Sequence, residues 1–277
     1  MNHITTVKPH NTILTSSGTS QRRHQHTMTA EPPRTLAFFG ASTGIGLAAL
    51  TRALAAGHTC IALCRKPSKL TDRFPAAAHP NLHVVEGNAH DPSAVSRCLA
   101  APGRSERLVD AVLSSIGGAF IFSKMTLDDP NVCRRGAATL IEAIAAVRQQ
   151  TGSVAWKPRI IMLSTTGMAR AGRDYPLALT PVYRWVLKVP HEDKLAMETA
   201  VAEGAVAGQG YTYTIVRPSL LVDEAQPKRE VRVGIDDDFV IGYTISRDDT
   251  GRWIYGNLLQ DGDEIGKYEN RIVTITW

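Results

Sequence analysis

The sequence predicts an α/β protein built on one doubly wound parallel sheet. An apolar strand at residues 36–39 runs directly into a glycine-rich turn and then into a helix-forming segment. Apolar strand-like segments alternate with helical ones along the rest of the chain, which is typical of βαβ units. At 277 residues the chain is long enough for one such domain. We therefore expect a single domain over residues 35–277.

The turn after the first strand has the sequence GASTGIG at residues 40–46. Gly40 permits a tight turn, Gly44 lets backbone N–H groups approach a pyrophosphate, and Gly46 lets the helix pack closely on the strand. The helix N-terminus adds a partial positive charge. The turn therefore predicts a dinucleotide site formed by Gly40, Ser42, Thr43, Gly44, Ile45 and Gly46.

An arginine follows the second predicted strand, residues 58–64. In this architecture the residue after that strand meets the adenosine ribose, where an acid suits the 2′-hydroxyl of NAD and an arginine suits a 2′-phosphate. Arg65 thus favours NADP(H), with Ser42 and Lys66 as helpers. The alternative is that Arg65 is an ordinary arginine of a surface loop.

The later elements continue the same alternation. Asp91 and Pro92 have the sequence of an N-cap and first position of a helix. The spacing of apolar residues predicts a long helix over residues 131–150 that packs on the sheet. Further strands are predicted at residues 82–89, 109–113, 159–163, 211–218 and 271–277, with a short helix in residues 246–258.

The spacing Gly-x-x-x-Gly-x-Gly resembles that of the short-chain dehydrogenase/reductase superfamily. Its catalytic members carry a serine after the fifth strand, matched here by Ser164, and then Tyr-x-x-x-Lys on the next helix. This sequence lacks that second motif: Tyr183 and Lys188 are five residues apart, and Tyr175 has Leu179 four residues later.

A closer match is HEDKLAME at residues 191–198, followed by a strand that ends Val-Arg-Pro at Pro218. It resembles the atypical branch of the superfamily, the NmrA-like and biliverdin-reductase-B-like NAD(P)H-binding proteins. In that alignment Lys194 takes the place of the motif lysine, and Pro190 falls where the tyrosine would be. The resemblance covers about residues 35–277 and implies a Rossmann-like fold with small C-terminal substrate-binding and lid elements.

The resemblance also implies roles for individual residues. Ser164 would orient the acceptor, and Lys194 would hold the nicotinamide ribose. The resemblance leaves the proton donor missing from its usual site, so the candidates for that role are Tyr175, Tyr183, His191 and water. The remaining residues expected along the cofactor are Asn88, Ala89, Ser114, Ser115 and Pro218.

The function expected first is an NADPH-dependent reductase that transfers hydride to a carbonyl, imine or conjugated alkene. Residues 168–190 and 221–277 are expected to bind a small, mainly apolar molecule, with secondary metabolism as one setting. Within them, residues 168–190 and 221–239 are expected to form the lid, and the alternative is that they only close the core. The alternatives are an NmrA-like NADP-sensing protein without turnover and a non-redox isomerase or cyclase on the same scaffold.

Composition limits the other classes of partner. The net charge of +5 includes four basic residues and one acidic residue within residues 1–34. The remainder is close to neutral and has no positively charged patch that would indicate nucleic-acid binding.

Residues 1–34 are expected to be a disordered extension, with a transit peptide as the alternative. No apolar run is long enough for a membrane span. We expect a cytoplasmic monomer or homodimer without a metal, with four buried free cysteines.

Overall fold

The computed structural model describes Met1 and residues 33–118, 120–121, 126–226, 228–260 and 265–277. Nearly all of the expected N-terminal extension, residues 1–34, lies outside the described residues. Pro32–Trp277 forms one compact unit.

The described residues form fourteen strands, most of them short. In chain order β1 to β14 are Thr35–Phe39, Thr59–Cys64, Leu82–Glu86, Ala100–Ala101, Arg104–Leu108, Ala111–Ser114, Phe120–Ile121, Thr126–Leu127, Arg159–Leu163, Thr212–Pro218, Leu220–Val222, Arg232–Ile235, Thr244–Ser246 and Arg271–Thr276.

Six α-helices accompany them. In chain order α1 to α6 are Gly44–Ala55, Ser68–Thr71, Pro92–Arg97, Val132–Thr151, Lys188–Val206 and Arg247–Ile254. Leu177–Leu179 and Ile265–Tyr268 are 3-10 turns, and Val182–Val186 and Tyr255–Leu259 are π-helical turns.

Eight strands form the main sheet in the order β12-β14-β10-β9-β6-β1-β2-β3. All neighbours in it are parallel except β12, which runs antiparallel to β14. The strand order reverses between β1 and β6, and ligands of doubly wound sheets bind at such a switch point. The predicted Rossmann-like sheet is therefore confirmed.

The two faces of the sheet are covered by different helices, as the alternation of side chains along β1 requires. Leu36 and Phe38 pack into the cluster that includes α1 and α6 residues. Ala37 and Phe39 pack into the opposite cluster, which contains residues of α3, α4 and α5. Both faces of β1 are thus buried, and its carboxyl end leads straight into the glycine turn.

Several local predictions are confirmed. Asp91 caps α3, its carboxylate accepting a hydrogen bond from the backbone N–H of Ser93 at 3.0 Å. The four cysteines are buried and free.

The segment 221–239, expected to form part of the lid, contains β12, which pairs with β14 at the edge of the main sheet. The lid itself stays a prediction. Two small hairpins, β4–β5 and β7–β8, were not predicted.

Candidate active site

A cleft of ≈ 480 Å³ lies at the carboxyl ends of β1, β6, β9 and β10. A second pocket of ≈ 320 Å³ continues from it beyond β2 and β3. The two share six lining residues, Gly40, Thr43, Ser115, Ile116, Gly117 and Gly118. Together they form one elongated groove over the switch point of the sheet, a shape that suits a dinucleotide.

The glycine turn lies at the centre of this groove. Gly40 and Gly44 have φ angles of 80° and 59°, which favour glycine. A Cβ on Gly40 would lie 2.8 Å from the carbonyl oxygen of Ser115, and a Cβ on Gly46 would overlap the Ser115 hydroxyl. That hydroxyl donates to the carbonyl of Gly40 at 3.1 Å, which fixes the turn against the end of β6.

The first turn of α1 is open to an anion. This helix begins at Gly44 and has neither a side-chain N-cap hydrogen bond nor an acidic residue in its first turn. Its first backbone N–H groups therefore lack helical partners, and the helix dipole is uncompensated there. These are the features that a pyrophosphate requires.

The second pocket carries three cations at the end of β2. Arg65, Lys66 and Lys69 are all exposed and line it together with Ser42. Asn88 and Ala89, expected near the adenine, line the same pocket. A short loop from β2 into α2 thus gathers positive charge where a 2′-phosphate would lie. Sequence reasoning missed Lys69, although its place near the start of α2, four residues after Arg65, gave a signal.

Ser164 lies directly after β9, at the wall of the larger cleft. Its side chain is 4% exposed, and within the described part of the chain its Oγ atom has no hydrogen-bond partner. A buried hydroxyl without a partner is costly unless a ligand completes it.

Helix α5 contributes His191 and Lys194 to the same cleft, together with Pro190. His191 and Lys194 are three residues apart and so lie on one face of the helix. The Nζ atom of Lys194 donates to the carbonyl oxygen of Leu163 at 2.8 Å. This bond ties the helix to the residue before Ser164.

Asp193 anchors that part of α5 to the start of α4. Its carboxylate is fully buried and accepts hydrogen bonds from the backbone N–H groups of Cys133 at 2.8 Å and Arg134 at 3.1 Å. It thereby caps α4 and compensates its dipole. The next residue, Lys194, is positioned by this contact.

His191 is a neutral imidazole at physiological pH. Burial, followed by the charges of Lys194 and Arg217, lowers its pKa to about 4. Its Nε2 atom is buried and has no hydrogen-bond partner among the described residues. Two residues that line the cleft, Ser164 after β9 and His191 on α5, thus each have a buried polar side-chain atom that lacks a hydrogen-bond partner among the described residues.

Comparison with known proteins gives three kinds of similarity. A family model described as NAD(P)H-binding matches residues 40–261. The chain is 38% identical over 260 residues to the reductase pytE of Aspergillus terreus, covering 88% of this chain and 98% of that protein. It is 30% identical over 277 residues to the oxidase pynE of Aspergillus niger, covering 87% and 98%.

The chain belongs to the NAD(P)H-binding family. The predicted resemblance to the atypical short-chain dehydrogenases/reductases is confirmed, as is the prediction of an NAD(P)-binding oxidoreductase. The solved structure of a short-chain dehydrogenase/reductase from Veillonella parvula in complex with NADP has a TM-score of 0.62 over 88% of this chain and 94% of its own. At 15% sequence identity it supports the fold.

The two tyrosines expected to supply a proton stack on each other. Tyr183 is 3% exposed, and its hydroxyl is 2.8 Å from the Thr166 hydroxyl. Its ring stacks on Tyr175 with centroids 4.3 Å apart and lies 5.7 Å from the ring of His191. Neither tyrosine is among the residues that line the cleft.

The other expected residues fall into two groups. Thr43, Ile45 and Pro218 line the larger cleft. Gly46 and Ser114 line neither pocket and instead pack behind the turn. Arg247, the first residue of α6, also lines the larger cleft, although no individual role was predicted for it.

The described residues show neither a metal site nor a membrane-spanning helix. No group of three His, Cys, Asp or Glu side chains there has the arrangement of a metal site. None of the described helices combines the length and apolar character needed to cross a bilayer.

Proposed function

We propose that this protein is an NADPH-dependent reductase that acts on a carbonyl, imine or conjugated alkene of a small, mainly apolar molecule. The observation that carries the proposal is that two residues lining the cleft, Ser164 and His191, have buried Oγ and Nε2 atoms with no hydrogen-bond partner in the described part of the chain. Both residues line the same cleft as Lys194, whereas Arg65 lines the other pocket of the groove.

The residues present fit an NADP-type dinucleotide. Gly44 and the open first turn of α1 suit the pyrophosphate, and Lys194 suits the nicotinamide ribose. Arg65, Lys66 and Lys69 favour a 2′-phosphate over a free ribose hydroxyl. The bound dinucleotide supplies the hydride.

Ser164 and His191 would orient the acceptor group. As the acceptor is reduced, negative charge develops on its oxygen or nitrogen, and donors fixed in advance stabilise that charge. Because the pKa of His191 is about 4, its neutral ring can act as an N–H donor without being charged beforehand. The ammonium of Lys194, held by Leu163, adds a fixed positive charge nearby.

The remaining cleft wall favours an apolar substrate. Its side chains include Ile116, Leu187, Pro190, Leu220 and Leu221. No Asp or Glu is among the described lining residues, so nothing there would favour a cationic substrate. The similarity to a protein named as a reductase, at 38% identity, supports reduction as the direction.

The competing proposal is a dinucleotide sensor without turnover. A sensor requires the glycine turn and the cations of the second pocket. It does not require a buried hydroxyl such as that of Ser164 in the wall of the larger cleft, and that residue favours the reductase.

The test begins with binding. Thermal shift and tryptophan fluorescence would be measured with NADPH, NADP⁺, NADH and NAD⁺ for the wild type and Arg65→Ala, with Arg184→Ala, an exposed arginine away from the groove, as the matched control. We expect stabilisation by NADP(H) that Arg65→Ala abolishes and Arg184→Ala preserves.

Turnover is then measured as the loss of NADPH absorbance with panels of ketones, cyclic imines and enones. Activity on one of these classes is the expected result. The absence of any dinucleotide response would overturn the proposal, and binding of NADPH with no turnover of any class would favour the sensor.

A further inference from the structure

Arg247 lies over the glycine turn although it is about 200 residues away in sequence. Its Cδ atom is 3.4 Å from the position that a Cβ on Gly44 would occupy. The side chain lines the ≈ 480 Å³ cleft and also an adjoining depression beside α1, which Thr43 and Gly44 line as well. It therefore borders the groove at the point where α1 begins.

The position of Arg247 is fixed by the docking of α6 on α1. Ser246 caps α6, its hydroxyl accepting from the backbone N–H of Asp249 at 2.9 Å. Gly251 brings the two helices into close contact, since a Cβ there would lie 2.7 Å from the carbonyl oxygen of Ile45. A larger residue at 251 would push α6 away from the first turn of α1. The contact thus holds Arg247 beside that turn.

The guanidinium group of Arg247 is only partly engaged. Its Nη1 atom pairs with Asp223 Oδ1 at 2.6 Å, and the Asp223 side chain is 93% exposed. Within the described part of the chain, its Nε and Nη2 atoms have no hydrogen-bond partner. Arg52, in the same depression, differs: its two terminal nitrogens pair with Asp248 at 3.0 Å and 2.8 Å.

We propose that Arg247 binds the pyrophosphate of the cofactor from the side opposite the backbone of the glycine turn. The unengaged Nε and Nη2 atoms can donate to one phosphate group in the forked geometry that arginine favours, while Nη1 stays on Asp223. The open helix N-terminus and the guanidinium would then enclose the same anion. Asp223 is the residue that orients the guanidinium.

This inference rests on the proposed NADP(H) cofactor, so the experiment tests the Arg247 contact and NADP(H) binding separately. The probes are NADP⁺, which contains the pyrophosphate, and adenosine 2′-monophosphate, which contains only the adenosine and the 2′-phosphate. Dissociation constants are measured by calorimetry at one ionic strength for the wild type, Arg247→Gln, Arg247→Lys and Arg65→Ala. Arg52→Gln is the matched control, since it removes the same charge from the same depression.

We expect Arg247→Gln to weaken NADP⁺ binding by about 10-fold to 100-fold, the range for hydrogen bonds to a charged group. Arg247→Lys, which keeps the charge and loses the fork, falls between it and the wild type. Neither variant changes the affinity for adenosine 2′-monophosphate, whereas Arg65→Ala weakens both ligands.

Other outcomes have definite meanings. If Arg247→Gln and Arg52→Gln weaken NADP⁺ equally, the effect is long-range charge and the proposed contact is wrong. The same holds if Arg247→Gln leaves NADP⁺ affinity unchanged while Arg65→Ala lowers it. If the wild type binds neither probe, the proposed cofactor itself fails.

Discussion

The ammonium group of Lys194 donates a hydrogen bond to the carbonyl oxygen of Leu163 at 2.8 Å. This bond joins helix α5 to the end of strand β9, one residue before Ser164. The helix face that carries Lys194 also carries His191, so both reach the cleft from one rigid element. The chain lacks the Tyr-x-x-x-Lys motif of the catalytic branch, and its cleft contains Ser164, His191 and Lys194 as candidate donors instead.

Ser164→Ala tests the donor from β9. We expect kcat to fall by about 10²–10³-fold, the cost of removing one fixed donor to developing charge, with little change in the affinity for NADPH. Steady-state kinetics and NADPH titration measure the two quantities. Thr165→Val is the matched control, because Thr165 lines the same cleft and has no proposed role. An equal loss in both variants would assign the effect to general disturbance of the cleft.

The lowered pKa of His191 predicts how stability depends on pH. Its pKa is about 4 in the folded protein and about 6.5 in an unfolded chain, so between these values the unfolded state binds more protons. Stability contributed by His191 is therefore full above pH ~6.5 and decreases as the pH falls toward 4. We expect the difference in unfolding free energy between the wild type and His191→Gln to change over that window.

Urea unfolding at a series of pH values measures this difference. Every other titrating group is common to both proteins, so the difference isolates residue 191. A difference that stays constant from pH 7 to pH ~4 would mean that His191 is not held neutral by its surroundings.

The glycine turn and the position of Ser164 were predictable because both follow from the local sequence. Gly40 and Gly44 carry the positive φ angles of a tight turn, and their spacing between a predicted strand and a predicted helix indicates a phosphate site. Strand β9 has the bounds expected from its apolar run, which placed Ser164 at its carboxyl end. These features depend on neighbours in sequence, and sequence patterns record them well.

Long-range contacts were not predictable in the same way. The edge strand β12 exists because it pairs with β14, almost forty residues later, and its own sequence has no strong apolar alternation. His191 reads as a surface residue at a helix start, yet Tyr183 packs beside it and Gly167 lies against both rings. Arg247 reaches the glycine turn only because α6 docks on α1.

Asp193→Asn tests how Lys194 is positioned. The buried carboxylate accepts from two backbone N–H groups at the start of α4, and an amide keeps the shape but loses the charge. We expect a loss of roughly 2–3 kcal/mol in unfolding free energy, together with weaker NADPH binding, because α5 loses its anchor. Denaturant unfolding and NADPH titration measure these.

Asp237→Asn provides the control for this substitution, since Asp237 is exposed. It should alter neither quantity measurably. Unchanged NADPH affinity in Asp193→Asn would mean that the contact with α4 serves stability alone and does not position Lys194.

Gly167→Ala tests whether the turn after Ser164 sets the position of His191. Gly167 has a φ of 100°, and a Cβ there would overlap the Tyr183 ring and lie 2.7 Å from Cε1 of His191. We expect destabilisation of roughly 3 kcal/mol or more, from backbone strain and overlap with buried rings. Turnover should fall further than the folded fraction does, because the His191 ring must move.

Gly208→Ala separates the effect of backbone strain from that of overlap with the buried rings. Gly208 has a φ of 76°, and nothing lies within 4 Å of a Cβ built on it, so this variant bears the strain without the overlap. It should cost about 1–2 kcal/mol and leave the activity per folded molecule unchanged. Equal costs in the two variants, with equal activity, would show that Gly167 serves only its turn. A larger loss of activity in Gly167→Ala would show that this glycine leaves the space that the His191 ring occupies at the cleft.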